Sequence, residues 1–122
     1  MTITMPPNSV RLLRQPVSRS ELTEIAAQGF GDMVKAVVDV RRAVVAVGGE
    51  LHSDEEAALL DDGSLQADLW GINLYPSEQT DDWIEFDSMI NVRPAQGNRS
   101  RSVEDEMLRA DIVRIIRSLV VN

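Results

Sequence analysis

Two hydrophobic periods alternate along this chain, and together they predict its elements. The densest β-branched run lies at 33–47, where Val34, Ala36, Val38 and Val40 alternate with Lys35, Val37 and Asp39, and a second apolar stretch fills 44–47. Such residues suit a pleated, buried surface. The polar break at 39–42 predicts a β-hairpin that turns across 40–43. Residues 10–13 predict a short strand, ended by Pro16, and residues 69–75 predict another, stopped by Pro76. Residues 83–92 alternate strictly. Ile84, Phe86, Ser88, Ile90 and Val92 face one way, against Trp83, Glu85, Asp87, Met89 and Asn91. That pattern predicts a strand with one buried and one wetter face, with Trp83 on the wetter one, where it covers a helix in the core or, as the alternative, marks a contact surface. The polar connector 76–82 lets it pair antiparallel with 69–75.

Helical spacing takes over elsewhere. Ser18 and Glu21 have capping-box spacing, which predicts a helix over 19–28 with Leu22, Ile25 and Ala26 inward. Gly29 and Gly31 end it, since glycine accepts the left-handed geometry that follows a helix. Ser53 and Glu56 repeat the capping-box spacing and predict a short helix to about 61, stopped by Gly63. A last helix is expected from Ser102, with Glu104, Asp105 and Glu106 in its first turn and Leu108, Ile112, Ile115, Ile116 and Leu119 as its apolar stripe. Strand, helix, hairpin, helix, two strands and helix in that order imply an α+β fold. The expectation is an antiparallel sheet of about four to five strands with three helices packed on one face. Residues 1–8, with two prolines, read as a flexible tail, and 9–122 as one domain.

Composition narrows the functional classes. The 122 residues carry a net charge of −8 and no cysteine. Disulfides, thiolate metal sites and cysteine nucleophiles are therefore excluded. No run approaches the roughly 20 apolar residues of a membrane-spanning helix, and the N-terminus lacks the basic start and long apolar stretch of a signal peptide. The expected location is cytoplasmic, with no membrane partner. The acidic balance argues against nucleic acid, whose binding rests on phosphate neutralisation, and so few aromatics leave little for base stacking.

Charge is also unevenly distributed. Between Arg42 and Arg93 there is no basic residue, but there are twelve acids and the only histidine, His52. Six of the twelve basic residues follow, from Arg93 to Arg117. This produces three candidates. Glu50, His52 and Asp54, joined by Glu55 or Glu56, would project to one side of an extended segment and offer carboxylate and imidazole to a divalent metal. The plainer reading has Glu50 and His52 ending a strand and the acids favouring a helix start. Asn98, Arg99, Ser100 and Arg101 form a glycine-led loop before a helix, a general recipe for an anion site. It lacks P-loop spacing, and its arginines have the chain's own acids, Glu85 and Asp87 among them, as alternative partners. Combining the two, His52 would act as acid or base, Glu50 or Asp87 would orient it, and Arg99 or Arg101 would hold an anionic substrate. The plainer reading is a histidine that makes one structural hydrogen bond.

Five segments carry a family resemblance: residues 29–39, 48–56, 68–73, 83–94 and 96–101, the last two holding Trp83, Asn91, Arg93, Asn98 and Arg101. Together they resemble an uncharacterised family of small prokaryotic proteins catalogued as a domain of unknown function, over about residues 10–120. The resemblance implies no activity, substrate or site residue. The expectation is thus a small acidic binding or interaction protein that meets its partner around the 93–102 arginine loop. That partner is a second copy of the chain, another protein or a small anionic ligand. The alternative is a small enzyme or sensor for an anionic, phosphate- or carboxylate-bearing ligand with His52 as acid/base. No cofactor is expected.

Overall fold

The computed structural model describes residues 9–122; the expected tail at 1–8 lies outside them. Strands β1 (Arg11–Leu13) and β2 (Val17–Ser18) precede helix α1 (Arg19–Gln28), the hairpin β3 (Val34–Asp39) and β4 (Val44–Val47), and helix α2 (His52–Asp61). Then follow β5 (Leu69–Leu74), β6 (Ile84–Glu85), helix α3 (Glu106–Leu119) and β7 (Val120–Val121). Five strands form one sheet in the order β1-β4-β3-β5-β6, every neighbour antiparallel. The fold is α+β, with three helices packed against this sheet.

The hairpin closes as its sequence predicts. Asp39 is fully buried at the turn. One of its carboxylate oxygens accepts the backbone N–H groups of Arg41 and Arg42, each at 2.9 Å, and the other accepts the Ser64 hydroxyl at 2.6 Å. An aspartate that binds amides two and three residues on is the usual device for a tight turn. Ser18 likewise caps α1, accepting the Glu21 N–H at 3.1 Å.

Helices cover both faces of the sheet, not one. In β3, Val34, Ala36 and Val38 pack with Val45, Val47, Trp70 and Ile72 under α1 and α3, which contribute Leu22, Ala26, Ile112 and Ile116. The alternate residue Val37 points the other way and packs with Ala46, Leu69 and Leu59 of α2. This two-sided burial explains why the strands are almost wholly apolar, as in other covered sheets. The α3 stripe forms as expected, with Ile112, Ile115, Ile116 and Leu119 buried. A separate parallel ladder, Val17 with Val120 and Ser18 with Val121, ties the start of α1 to the end of α3. No local sequence signal predicts it.

Three expected boundaries move. The helix expected from Ser102 begins at Glu106, with Asp105 as its cap, accepting the N–H groups of Met107 and Leu108. The second capping box does not form: α2 starts one residue before Ser53, at His52, without a side-chain cap. The strand expected over 83–92 shrinks to Ile84 and Glu85. Trp83 precedes it in a 3-10 turn, buried in the α1/α3 core rather than on a wetter face. Another 3-10 turn follows at Met89–Asn91.

The strand ends early because a side chain replaces it. The Asn91 amide lies against Gly71 of β5, accepting its N–H at 2.8 Å and donating to its carbonyl at 2.9 Å. Both groups would otherwise lack a neighbouring strand, and unpaired buried backbone groups are costly. Gly71 permits the approach: a Cβ there would stand 2.6 Å from the Ser88 side chain. Two outcomes are expected in urea unfolding. Gly71→Ala should lower stability by about 2 kcal/mol through overpacking. Asn91→Ala should cost at least about 2 kcal/mol, because it strands two buried backbone groups. Wild-type midpoints in both variants would contradict the clasp.

Candidate functional site

Gly48 and Gly49 carry the chain from β4 into α2, and they create room for a buried acid. Glu55, fully buried one turn into α2, accepts the Gly49 N–H at 3.0 Å. A Cβ on Gly49 would come within 2.9 Å of its side chain. The other Glu55 oxygen has no hydrogen-bond partner among the described residues. Burial outweighs the Gly49 hydrogen bond and pushes the Glu55 carboxyl well above its ordinary range. The protonated form is favoured because a low-dielectric setting penalises charge. A helix-start acid is thus a buried core residue whose carboxyl holds its proton more tightly than an ordinary one.

His52 begins the same helix and faces the same way. Its Nε2 lies 2.8 Å from the Ile72 carbonyl. A carbonyl only accepts, so Nε2 carries the proton and, in the neutral ring, Nδ1 keeps its lone pair. Burial lowers the His52 pKa, and the nearby Lys35 charge adds to this, against the Ile72 hydrogen bond, the Asp87 charge and a hydrogen bond with the Asn73 side chain. Neutral imidazole is therefore the favoured form near pH 7.

Beside His52, three strands bring polar side chains into register. Lys35 of β3 pairs with Asn73 of β5, and Asn73 with Glu85 of β6, so the three stand side by side on the face that α2 covers. Asn73 donates to Glu85 at 2.9 Å and to the Asp87 carbonyl at 3.2 Å, while the Tyr75 hydroxyl donates to Glu85 at 3.3 Å. Asn73 is buried, and its side chain also interacts with His52. Arg101 closes the row by pairing with Asp87 at 2.7 Å. Asn73 and Glu85 were not among the residues expected from sequence. The available signal was a lone amide within an otherwise apolar strand.

The arginine loop is built mainly from its own contacts. Arg93 donates to the carbonyls of Ile90 and Gln66 at 2.9 Å and to that of Leu69, and stacks 4.6 Å from the Trp70 ring centre. Buried Asn98 shares its amide protons among the carbonyls of Asn91, Ser100 and Ser102, and its oxygen accepts the Glu104 N–H. The loop does form an anion cradle, filled by the chain's own acid. The Glu104 carboxylate accepts the backbone N–H of Arg99 at 2.9 Å and of Ser100 at 2.7 Å. The Ser100 hydroxyl, then these amides, hold Glu104 below the usual carboxylate range. This carboxylate, expected in the first turn of the last helix, turns back onto the loop instead.

The sequence candidates therefore separate. His52, Asp87 and Arg101 fall in one neighbourhood, with Asn73 between elements. Arg99 and Ser100 belong to the Glu104 cradle, and Asn98 lies beneath it. Glu50 is exposed just before α2, and Asp54 is partly buried within it. The extended arrangement that would align Glu50, His52 and Asp54 does not form, because His52 and Asp54 are helical. Among the described residues, no group of three or more His, Cys, Asp or Glu side chains is placed to hold a metal ion. Nor is any helix there long and apolar enough to cross a membrane.

These features define a small α+β domain with a five-stranded antiparallel sheet, a buried acid of raised proton affinity and an asparagine-clasped arginine loop. The chain belongs to the family described as "protein of unknown function (DUF5674)", whose model matches residues 11–119. No curated protein and no solved structure gives a significant match.

The two shifted groups have opposite pH linkage. Glu55 has a raised folded pKa, so its contribution is complete below its ordinary 4.5 and is lost as pH rises toward the folded value. His52 has a lowered folded pKa, so its contribution is complete above its ordinary 6.5 and falls as pH drops toward the folded value. Urea midpoints between about pH 4 and about pH 8 should show Glu55→Gln gaining on wild type as pH rises. In His52→Gln, the loss of stability on acidification from neutral pH should shrink. Parallel profiles for all three proteins would refute both assignments.

Proposed function

We propose that this protein works as a binding protein that engages a protein partner beside the 93–102 loop. The observation that carries this reading is a group of exposed apolar side chains on a fixed frame. Met89 is 66% exposed and Leu65 59% exposed, with Val92 and Leu60 also exposed. Arg93 draws these segments together. It bonds to the Gln66 carbonyl, next to Leu65, follows Val92, and lies 3.9 Å from Glu56, one helical turn before Leu60. Single exposed apolar residues are ordinary, but several on segments held together by one arginine suit an interaction surface. The asparagine and arginine bonds within the loop hold this frame before any partner arrives, which reduces the ordering cost of binding. Arg99 and Arg101 lie farther along the same loop and suit an interface rim. The cysteine-free sequence suits a cytoplasmic setting.

A second copy of the chain is the first partner to test. Sedimentation velocity over a range of concentrations, on wild type and Met89→Asp/Leu65→Asp, reads self-association directly. Central interface residues are commonly worth more than 1 kcal/mol each, so the double variant should weaken assembly by at least about tenfold. If wild type stays monomeric, affinity capture from extract with both proteins reads other partners. Identical capture by the two would reject the surface.

One observation favours a second reading, a small enzyme or sensor for an anionic ligand. His52, neutral and with an Nδ1 lone pair, feels the charge of Asp87, which is itself paired with Arg101. A phosphate or carboxylate that displaced Asp87 from Arg101 would come to rest in the neighbourhood of an acid/base group. Ligands of that site would raise the melting temperature by mass action. The shift should disappear in both Arg101→Ala and His52→Ala; its survival in either would remove this reading.

A further inference from the structure

At the opposite ends of α1 and α3, a groove of about 790 Å³ is lined by Arg19, Arg117, Trp83, Thr80, Pro76 and Val121, among others. Arg19 is unusual among the arginines of this acidic chain. Most of them pair with a carboxylate, as in Arg14–Asp62, Arg42–Asp62 and Arg101–Asp87. Arg19 has no carboxylate at ion-pair distance among the described residues. Its guanidinium lies flat at 4.0 Å from the Trp83 ring centre and donates through one terminal nitrogen to the Glu78 carbonyl at 3.2 Å. Its Nε and second terminal nitrogen have no hydrogen-bond partner there. A guanidinium held by stacking, with donors to spare, is prepared for bidentate pairing with an oxyanion.

Of the acids beside Arg19 and Arg117, Glu78 is engaged elsewhere and Asp81 is held only by an exposed pair. Glu78 turns back on Thr80, accepting its hydroxyl at 3.1 Å and its N–H at 3.2 Å. Asp81 pairs with Arg117 at 3.0 Å, but Asp81 is 93% exposed, and such surface pairs are worth little. Arg117 can therefore exchange Asp81 for a ligand at small cost. Val121, which is exposed, supplies apolar wall, with small exposed parts of Pro76 and Trp83 beside it. We propose that this groove binds a small organic anion: a phosphate or carboxylate head held by Arg19 and Arg117, with a compact apolar body against that wall. The site is separate from the surface around Met89 and does not depend on it.

Proton–nitrogen NMR provides the test, because the chain has two tryptophans and only one lines the groove. The probes are phenyl phosphate, benzoate, inorganic phosphate and neutral phenol. Phenyl phosphate or benzoate should shift the Trp83 indole and Arg19 Nε–H signals saturably, leaving the Trp70 indole in place. Inorganic phosphate should bind more weakly and phenol not at all. Arg19→Gln should weaken binding by about tenfold or more, the loss expected for a charge-assisted bidentate pair. Arg117→Gln changes an exposed side chain outside the core, and should weaken binding several-fold. Absence of saturable shifts at millimolar probe, equal binding of phenol, or unchanged affinity in Arg117→Gln would each overturn the proposal.

Discussion

The contact between the Asn91 amide and the Gly71 backbone is the constraint on which the whole segment between β6 and α3 depends. One buried side chain supplies the donor and acceptor that a continuing strand would have offered to β5. The chain is thereby released from the sheet after Glu85 and free to form the 3-10 turns and the arginine loop. The same amide also donates to the Arg101 carbonyl at 2.9 Å, so the far end of the loop returns to the sheet. Asn98 repeats the device one layer out, holding Asn91, Ser100 and Ser102 by their carbonyls. Removing either amide would leave several buried backbone groups unpaired at once, which is why such networks tend to be lost together.

Charge in this protein is largely spent on construction. Arg93 joins the loop to the segment before β5 and to α2, Arg42 joins the hairpin to Asp62 and Ser64 beyond α2, and Arg109 bonds to Val103 and Ser102 while stacking on Phe86. Planar guanidinium suits these roles, since one head can satisfy several carbonyls while covering an aromatic ring. The loop that looks in sequence like an anion receptor carries its own anion, Glu104. Against this background Arg19, stacked on Trp83 and hydrogen-bonded among the described residues only to the Glu78 carbonyl, differs from Arg109, whose head is shared between Val103 and Ser102.

The acidic cluster at the start of α2 shows how burial changes a residue's chemistry. Asp54, Glu55 and Glu56 are consecutive, but they meet different surroundings. Glu55 points into the sheet and is favoured as a neutral acid, whereas Glu56 points along the helix flank toward Arg93. His52 is a turn earlier on the inward stripe. The polar row of Lys35, Asn73 and Glu85 is the counterpart of this stripe on the sheet. It places a lysine, an amide and a carboxylate next to two groups with shifted proton affinity.

Local sequence by itself determined the hairpin, the α1 capping box, the apolar stripe of α3 and the α+β class. Each depends on residues within a few positions of one another: β-branched alternation, a Ser–Glu spacing, a helical period. The 83–92 segment shows the limit. Its alternation is real, but pairing needs a partner strand along its whole length, and the Asn91 amide took that place from within the segment. The second Ser–Glu spacing failed as a cap because burial of His52 and Glu55 fixed where α2 begins. Tertiary structure alone decided that helices cover both faces, that the Glu55 carboxyl is buried and its pKa raised, that His52 lies near Asp87 and Arg101, and that Arg19 rests on Trp83. Those outcomes join residues far apart in sequence, and desolvation and pairing across such distances leave no periodic trace in the chain.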